Sequence, residues 1–292
     1  MPQTSEGNVH ALHYREAKPS QGDSSRPVSE LFRLDNRTVI ITGALGFLGT
    51  TLAIAIFESG ADIVCLDLSP TPNAANWNDV EDAAKKHQCQ LSYLQLDVTD
   101  ENAVSETFAK FVPSLRYPIK GLVACAGLSL NGPATEFPAS SFRKVLDINV
   151  TGTFLIAQAT AREMTRTNTT GSMVLVASMS GYCSNKGVDT AGYNASKAAV
   201  HQLTRSLAAE WGSRVEIPLI RVNSLSPGYI RTAATAESLQ KPGMESQWTG
   251  DNMLYRLSTA DEFRAPVLFM LADGSSFMTG ADLRVDGGHC SW

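Results

Sequence analysis

From residue 37 onward the chain alternates short β-branched runs with longer stretches of helical period, and this alternation constrains its fold more than any other feature. The runs are Thr38–Thr42, Asp62–Asp67, Leu91–Leu96, Gly121–Ala126, Met173–Ala177, Arg221–Leu225 and Asp282–Val285. Most are near-continuously apolar rather than alternating, which marks strands buried on both faces, as in a parallel sheet covered by helices on each side. The stretches between them predict helices over about 47–60, 77–88, 100–111, 140–167, 192–212 and 261–272, each after Gly, Pro, Asp, Asn or Ser signals. Right-handed crossovers then give an α/β, doubly wound fold with seven strands in one sheet and ligands at the strands' carboxyl ends.

With 292 residues, 43% of them hydrophobic, the chain can bury one large core. We read residues 31–292 as a single catalytic domain and 1–30 as a flexible leader. The leader is rich in Ser, Pro, Gln, Gly and charge of both signs, lacks the apolar centre of a signal peptide and is too acidic for a transit peptide. Its His10 and His13 have no third ligand and are expected to be solvated, so no metal is expected. One segment, 231–257, breaks the alternation and carries Met244, Trp248, Met253 and Tyr255. A long apolar connection of this kind is expected to form a lid over the substrate.

Immediately after the first strand, Gly43-Ala44-Leu45-Gly46-Phe47-Leu48-Gly49 opens directly into a helix. A glycine turn between strand and helix lets the backbone approach a pyrophosphate, and the free N–H groups of the helix start hold the anion. Gly43, Leu45, Gly46, Phe47, Leu48 and Gly49 are therefore expected to bind a dinucleotide. Asp67, ending the second strand about 20 residues later, is placed to accept ribose hydroxyls and to repel a 2′-phosphate. No Lys or Arg stands in the turn or directly after Asp67, so NAD is expected over NADP. Asp97 and Val98, ending the third strand, are expected near the adenine, with a simple cap on the next helix as the alternative for Asp97.

Tyr193 and Lys197 are four residues apart in a strongly helical segment and share one face. A phenol is a poor base near neutrality, and a neighbouring ammonium is expected to favour its phenolate. Other classes are excluded by composition. A net charge of −5 without any Lys/Arg run argues against a nucleic-acid partner. No apolar stretch approaches the roughly 18 to 20 residues of a membrane span. Five scattered cysteines without C-x-x-C spacing suit reduced thiols in the cytoplasm rather than disulfides or zinc.

Taken together, these motifs resemble the short-chain dehydrogenase/reductase family in its compact, single-domain Rossmann-type subgroup, from about Arg37 to the C-terminus. Ala124-Cys125-Ala126-Gly127 is similar to the family's Asn-Asn-Ala-Gly, with Ala124 and Cys125 replacing both asparagines. Asn149, Ser178, Tyr193 and Lys197 match the catalytic set, Pro227-Gly228-Tyr229-Ile230-Arg231-Thr232 the segment at the nicotinamide end, and Asp286-Gly287-Gly288 the C-terminal motif. The glycine spacing G-x-x-G-x-x-G is that of the larger, epimerase-like branch. Ser180 competes with Ser178, which is preferred as the first residue past its strand. The resemblance implies that Tyr193 is the general acid/base and Ser178 binds the same substrate oxygen. It also implies that Lys197 lowers the phenol pKa and holds the nicotinamide ribose, and that Asn149 positions a water relaying protons from Lys197. Ala126, Gly127, Asn149, Tyr193, Lys197, Pro227, Gly228, Ile230 and Thr232 would line the cofactor, and the helices over 151–167 and 192–212 would build a homotetramer or dimer.

The C-terminal run and Ala177-Ser178-Met179-Ser180-Gly181 look most like fungal polyol dehydrogenases and ketose reductases. Polyol–ketose interconversion is the implied chemistry, with Asn185, Lys186 and Asp189 as candidate partners of hydroxyls. The alternatives are a larger apolar alcohol or ketone of secondary metabolism, suited to the apolar lid, and an NAD-using isomerase or epimerase without net redox change. A non-catalytic dinucleotide sensor would not need the four-residue catalytic set.

Overall fold

The structure, a computed structural model, describes residues 26–292; the first 25 residues of the leader, with His10 and His13, lie outside it. Seven strands form one sheet: β1 (Thr38–Thr42), β2 (Asp62–Asp67), β3 (Leu91–Gln95), β4 (Ile119–Ala124), β5 (Gly171–Val176), β6 (Ile220–Pro227) and β7 (Asp282–Val285). Every pairing is parallel and the order is β3-β2-β1-β4-β5-β6-β7. The order reverses between β1 and β4, so the crevice for a ligand opens beyond their carboxyl ends.

β1 and β6 are buried along their whole length, because helices cover both faces. One core layer is built on Ile40, Leu122, Met173 and Val222 with α3 (Glu101–Phe111), α5 (Thr153–Arg166) and α6 (Ala191–Ser213). The other is built on Val39, Ile41, Val123 and Val174 with α1 (Phe47–Glu58), α2 (Trp77–Lys86) and α9 (Arg264–Leu271). A buried Arg221 on β6 binds the carbonyls of Met270, Ala272 and Met278, tying the connection after α9 to the sheet.

The long helix expected over 140–167 is interrupted. α4 (Ala139–Leu146) passes into a wide π-type turn, Asp147–Gly152, before α5 begins. The segment 231–257 is not structureless either, since it holds two short helices, α7 (Ala233–Leu239) and α8 (Met244–Gly250). Hydrophobic periodicity does not mark the first feature, because a single π turn shifts the apolar face by only about one residue, within the scatter of a helical pattern.

Candidate active site

Gly43 sits at φ +63°, and a Cβ there would lie 2.8 Å from the backbone N of Ala126, so the turn after β1 closes directly on the end of β4. At Gly49 a Cβ would come within 2.3 Å of the Gly43 carbonyl; these two glycines are fixed by backbone packing. α1 starts at Phe47 with neither a side-chain cap nor an acidic residue in its first turn. Its first N–H groups have no intrahelical partner and face no competing carboxylate of their own helix.

Beyond this turn a cleft of about 370 Å³ runs along the strand ends. Gly43, Gly46, Phe47, Leu48, Gly49, Gly127, Ser178, Tyr193, Lys197, Pro227, Gly228, Ile230 and Thr232 all border it, so most of the expected residues meet in one place. Leu45, Asp67, Asp97, Val98, Ala126 and Asn149 do not line it. Asp67 Oδ2 accepts the N–H of Leu45 at 3.0 Å, which fixes the carboxylate beside the glycine turn and leaves its other oxygen free of that bond. Asp97 is exposed and accepts from the backbone N–H and hydroxyl of Thr99, at 2.9 and 2.7 Å. The cap of α3 is Asp100, not Asp97. Val98 is buried where a Cβ on Gly152 would strike it at 2.6 Å, so it packs against the π turn.

That turn delivers Asn149, which is completely buried. Asn149 Oδ1 accepts the N–H of Leu128 at 2.7 Å, while Nδ2 donates to the Leu128 carbonyl and to Ser196 Oγ, each at 2.9 Å. Both amide protons are engaged, so the side chain clamps the segment after β4 against α6. Nothing in the sequence pointed to Ser196 or Leu128 as its partners; single residues facing across the fold carry no local signal.

Tyr193 and Lys197 stand one turn apart on α6, with the Lys197 Nζ 5.7 Å from the centre of the Tyr193 ring. Lys197 is 5% exposed, and its Nζ donates to the Val176 carbonyl at the end of β5 at 2.7 Å. Burial lowers its pKa to about 8. The expectation for the phenol is reversed: burial raises the Tyr193 pKa, and the Ser178 hydroxyl pulls it part of the way back. Desolvation thus outweighs any help from the amine, which points at a carbonyl rather than at the phenol oxygen. Ser178 follows β5 after Ala177 and accepts the Ser180 N–H at 3.1 Å, which aims its hydroxyl and separates the roles of the two serines.

The far end of the cleft is apolar. Met179, Val188, Tyr229 and Trp248 border it together with Leu128. Tyr229 and Trp248 stack with ring centres 3.9 Å apart and planes 5° apart, and Met179, Met244 and Leu257 pack around them. Of the expected lid residues, Trp248 borders the cleft and Met244 supports it, whereas Met253 and Tyr255 are exposed at 38% and 66% and do not line the cleft. Of the polar loop residues, Asn185 borders it and donates to the Tyr229 hydroxyl at 3.1 Å. Lys186 is exposed beside Asp251, and Asp189 lines a separate hollow next to Phe137 and Phe142. Tyr229 was read only as part of a motif, although an aromatic directly after Pro-Gly at a strand end is the signal that could have marked it.

No described helix is long and apolar enough to cross a membrane, and no group of three or more His, Cys, Asp or Glu among the described residues could hold a metal. Residues 43–289 match the sequence profile of a family described as enoyl-(acyl carrier protein) reductase. The chain is 82% identical, over the full length of both, to a short chain dehydrogenase/reductase of Aspergillus versicolor, notP′. It is 37% identical to a ribulose-forming D-arabinitol 2-dehydrogenase of Candida tropicalis, over 89% of this chain and 95% of that one. Among solved structures, an NADPH-dependent 3-quinuclidinone reductase from Rhodotorula rubra superposes with a TM-score of 0.84 at 28% identity, covering 95% of this chain and 99% of the other. The polyol dehydrogenases are thus more distant than the Aspergillus relative, and the polyol expectation is the weaker of the two substrate readings.

Proposed function

Because the chain belongs to the short-chain dehydrogenase/reductase family, an enzyme family acting on CH–OH groups with NAD(P), we propose that it interconverts a ketone and a secondary alcohol that is larger and more apolar than a polyol. The observation that carries this reading is the pairing, in one cleft, of the Ser178, Tyr193 and Lys197 set with an apolar wall of Met179, Val188, Tyr229 and Trp248. Polyol hydroxyls turned toward that wall, rather than toward Asn131, Asn185 or Thr190, would lose water without gaining a partner, each costing on the order of 1–3 kcal/mol.

The residues present suit a dinucleotide. The first turn of α1 is free of acids, and a Cβ on Gly127 would sit 3.6 Å from Lys197 Nζ, so glycine keeps that stretch of the cleft open. Bound there, the nicotinamide would supply or accept the hydride. Tyr193, with its raised pKa, keeps its proton at neutral pH and gives it to the substrate oxygen as a ketone is reduced; in the reverse direction it takes that proton back. Ser178 donates its hydroxyl hydrogen to the same oxygen and stabilises the charge developing on it. Lys197 uses one donor on Val176 and has two left for the ribose hydroxyls. Asn149 holds the Leu128 segment, and with it the floor of the site, at the correct height. Asp67 favours NAD, since its free oxygen can accept ribose hydroxyls and no cation directly follows it in sequence.

The catalytic unit of this reading is residues 31–292, assembled as a homotetramer through α5 and α6, which light scattering tests. The decisive experiment is a screen of apolar secondary alcohols and ketones beside polyols, with NAD and NADP, following the absorbance of reduced cofactor. Faster turnover of polyols than of every apolar compound would defeat the substrate assignment. Conversion without any change in reduced cofactor would instead favour the isomerase reading.

A further inference from the structure

Two thiols that the reaction does not use meet behind the substrate end of the cleft. Cys183 follows the 3-10 turn Met179–Gly181, and Cys290 lies in the C-terminal turn His289–Ser291. The Cys290 thiol donates to Cys183 Sγ at 3.3 Å, across 107 positions of sequence. Both thiols also reach the Met179 carbonyl, Cys183 at 3.6 Å and Cys290 at 3.8 Å, so one backbone oxygen gathers them. Among the described residues they belong to no metal-binding cluster. Each is half-buried rather than enclosed, and the adjacent Tyr182 is 50% exposed, so the pair lies near the surface.

We propose that Cys183 and Cys290 form an oxidisable dithiol site whose co-reactant is a small-molecule disulfide, and that closing it ties the loop 183–190 to the C-terminal turn and distorts the substrate wall. Cys183, the sulfur that accepts the hydrogen bond, gives up its proton to solvent and attacks one sulfur of glutathione disulfide. That S–S bond breaks, a mixed disulfide forms on Cys183 and one glutathione leaves as the thiolate. Cys290 then loses its proton and attacks Cys183 Sγ. The protein disulfide forms and the second glutathione departs, so two protein thiols are oxidised and one small disulfide is reduced to two thiols.

The consequence for the cleft follows from what the two segments touch. A disulfide needs sulfurs about 2.0 Å apart, so the pair must close by about 1 Å. The loop presses on Tyr229 through Asn185, which is itself held by Thr190 Oγ1 at 3.1 Å. The C-terminal turn presses on the same ring through His289, whose ring lies edge-on at 5.3 Å. Tyr229 stacks on Trp248, so movement at either sulfur reaches the aromatic wall.

The effect on turnover rests on the functional reading above; formation of the bond does not. In the test, the full-length enzyme is equilibrated in glutathione/glutathione disulfide mixtures from reducing to oxidising; one portion is assayed directly for kinetics, and another is quenched in acid, freed of glutathione, alkylated near neutral pH and read by intact mass and peptide mapping. The expected results are a mass loss of two hydrogens, a peptide joining Cys183 to Cys290, slowed hydrogen exchange over 182–190 and a fall in kcat/KM of about tenfold or more, all reversed by dithiothreitol. Cys290→Ser should keep basal turnover but collect one glutathione on Cys183, and Cys183→Ser should lose both adduct and response. Separate alkylation of the two thiols after the most oxidising mixture would overturn the proposal. So would a joined chain whose exchange and kcat/KM do not change. A chain that cross-links but turns over no alcohol or ketone would sustain the dithiol and count against the functional reading instead.

Discussion

The two walls of the cleft are built from different material. On the cofactor side the surface is backbone: the turn 43–49, the ends of β1 and β4, and Pro227-Gly228 at the end of β6, all bolted into the parallel sheet. On the substrate side it is side chain: Met179 and Val188 from the loop after β5, Tyr229 from just past β6 and Trp248 from α8. Backbone walls suit a partner of constant shape, whereas side-chain walls can be rebuilt one residue at a time. The difference teaches where identity is written: the first wall states the class of reaction, the second the individual substrate.

Five variants break or sharpen this contrast. Tyr193→Phe, where the walls meet, should lower kcat by about 10²–10⁴-fold while leaving cofactor affinity, followed by nucleotide fluorescence, within about twofold. Loss of both together would mean that the helix, not the phenol, had been damaged. Lys197→Met reads the same helix through stability. Lys197 has its pKa depressed to about 8 from the ordinary 10.5, so between those values the unfolded amine binds a proton that the folded one does not. Wild-type stability should therefore rise with pH across that window by about 3 kcal/mol relative to the variant, as measured by urea unfolding.

Asp67→Ala acts on the cofactor wall alone and should reduce discrimination against NADP by about tenfold or more, with the apolar substrate's KM unchanged. On the opposite wall, Trp248→Ala should raise that KM by about tenfold and leave the cofactor's KM unchanged. Trp248→Phe should be milder, since it keeps an aromatic against Tyr229 and removes a buried indole N–H that has no hydrogen-bond partner. If Trp248→Ala changed the cofactor's KM as much as the substrate's, the two walls would not be separable.

The same contrast explains what was legible in the sequence. The apolar runs place all seven strands, and two-sided burial writes β1, β2, β4, β5 and β6 into consecutive residues, whereas the edge strands β3 and β7 hold no fully buried residue. Gly43 and Gly49 were legible because a backbone approach under 3 Å excludes a side chain. What could not be read were features set by long-range encounters. The π turn at Asn149, the Asn149–Ser196 bond and the Tyr229–Trp248 stack each join residues whose spacing has no period. Of the apolar residues of 231–257, Trp248 borders the cleft while Met253 and Tyr255 do not, since composition does not say which way a side chain in a turn faces. The pKa expectation failed for a related reason: proximity along a helix is visible in the sequence, whereas the cost of burial is not.

Tyr193 and Lys197 share α6 with His201, which binds Ser226 Oγ at 2.8 Å, while Asp282 accepts from the same serine at 2.8 Å. The helix is thereby pinned to β6 and β7 one turn below the reacting pair. Tyr182 packs on the His201 ring at 4.3 Å and belongs with the pins; replacing the loops 183–190 and 231–257 leaves them in place, so new pockets can be grafted around an acid whose position never has to be found again. An enzyme designer would change the mouth and keep the spine.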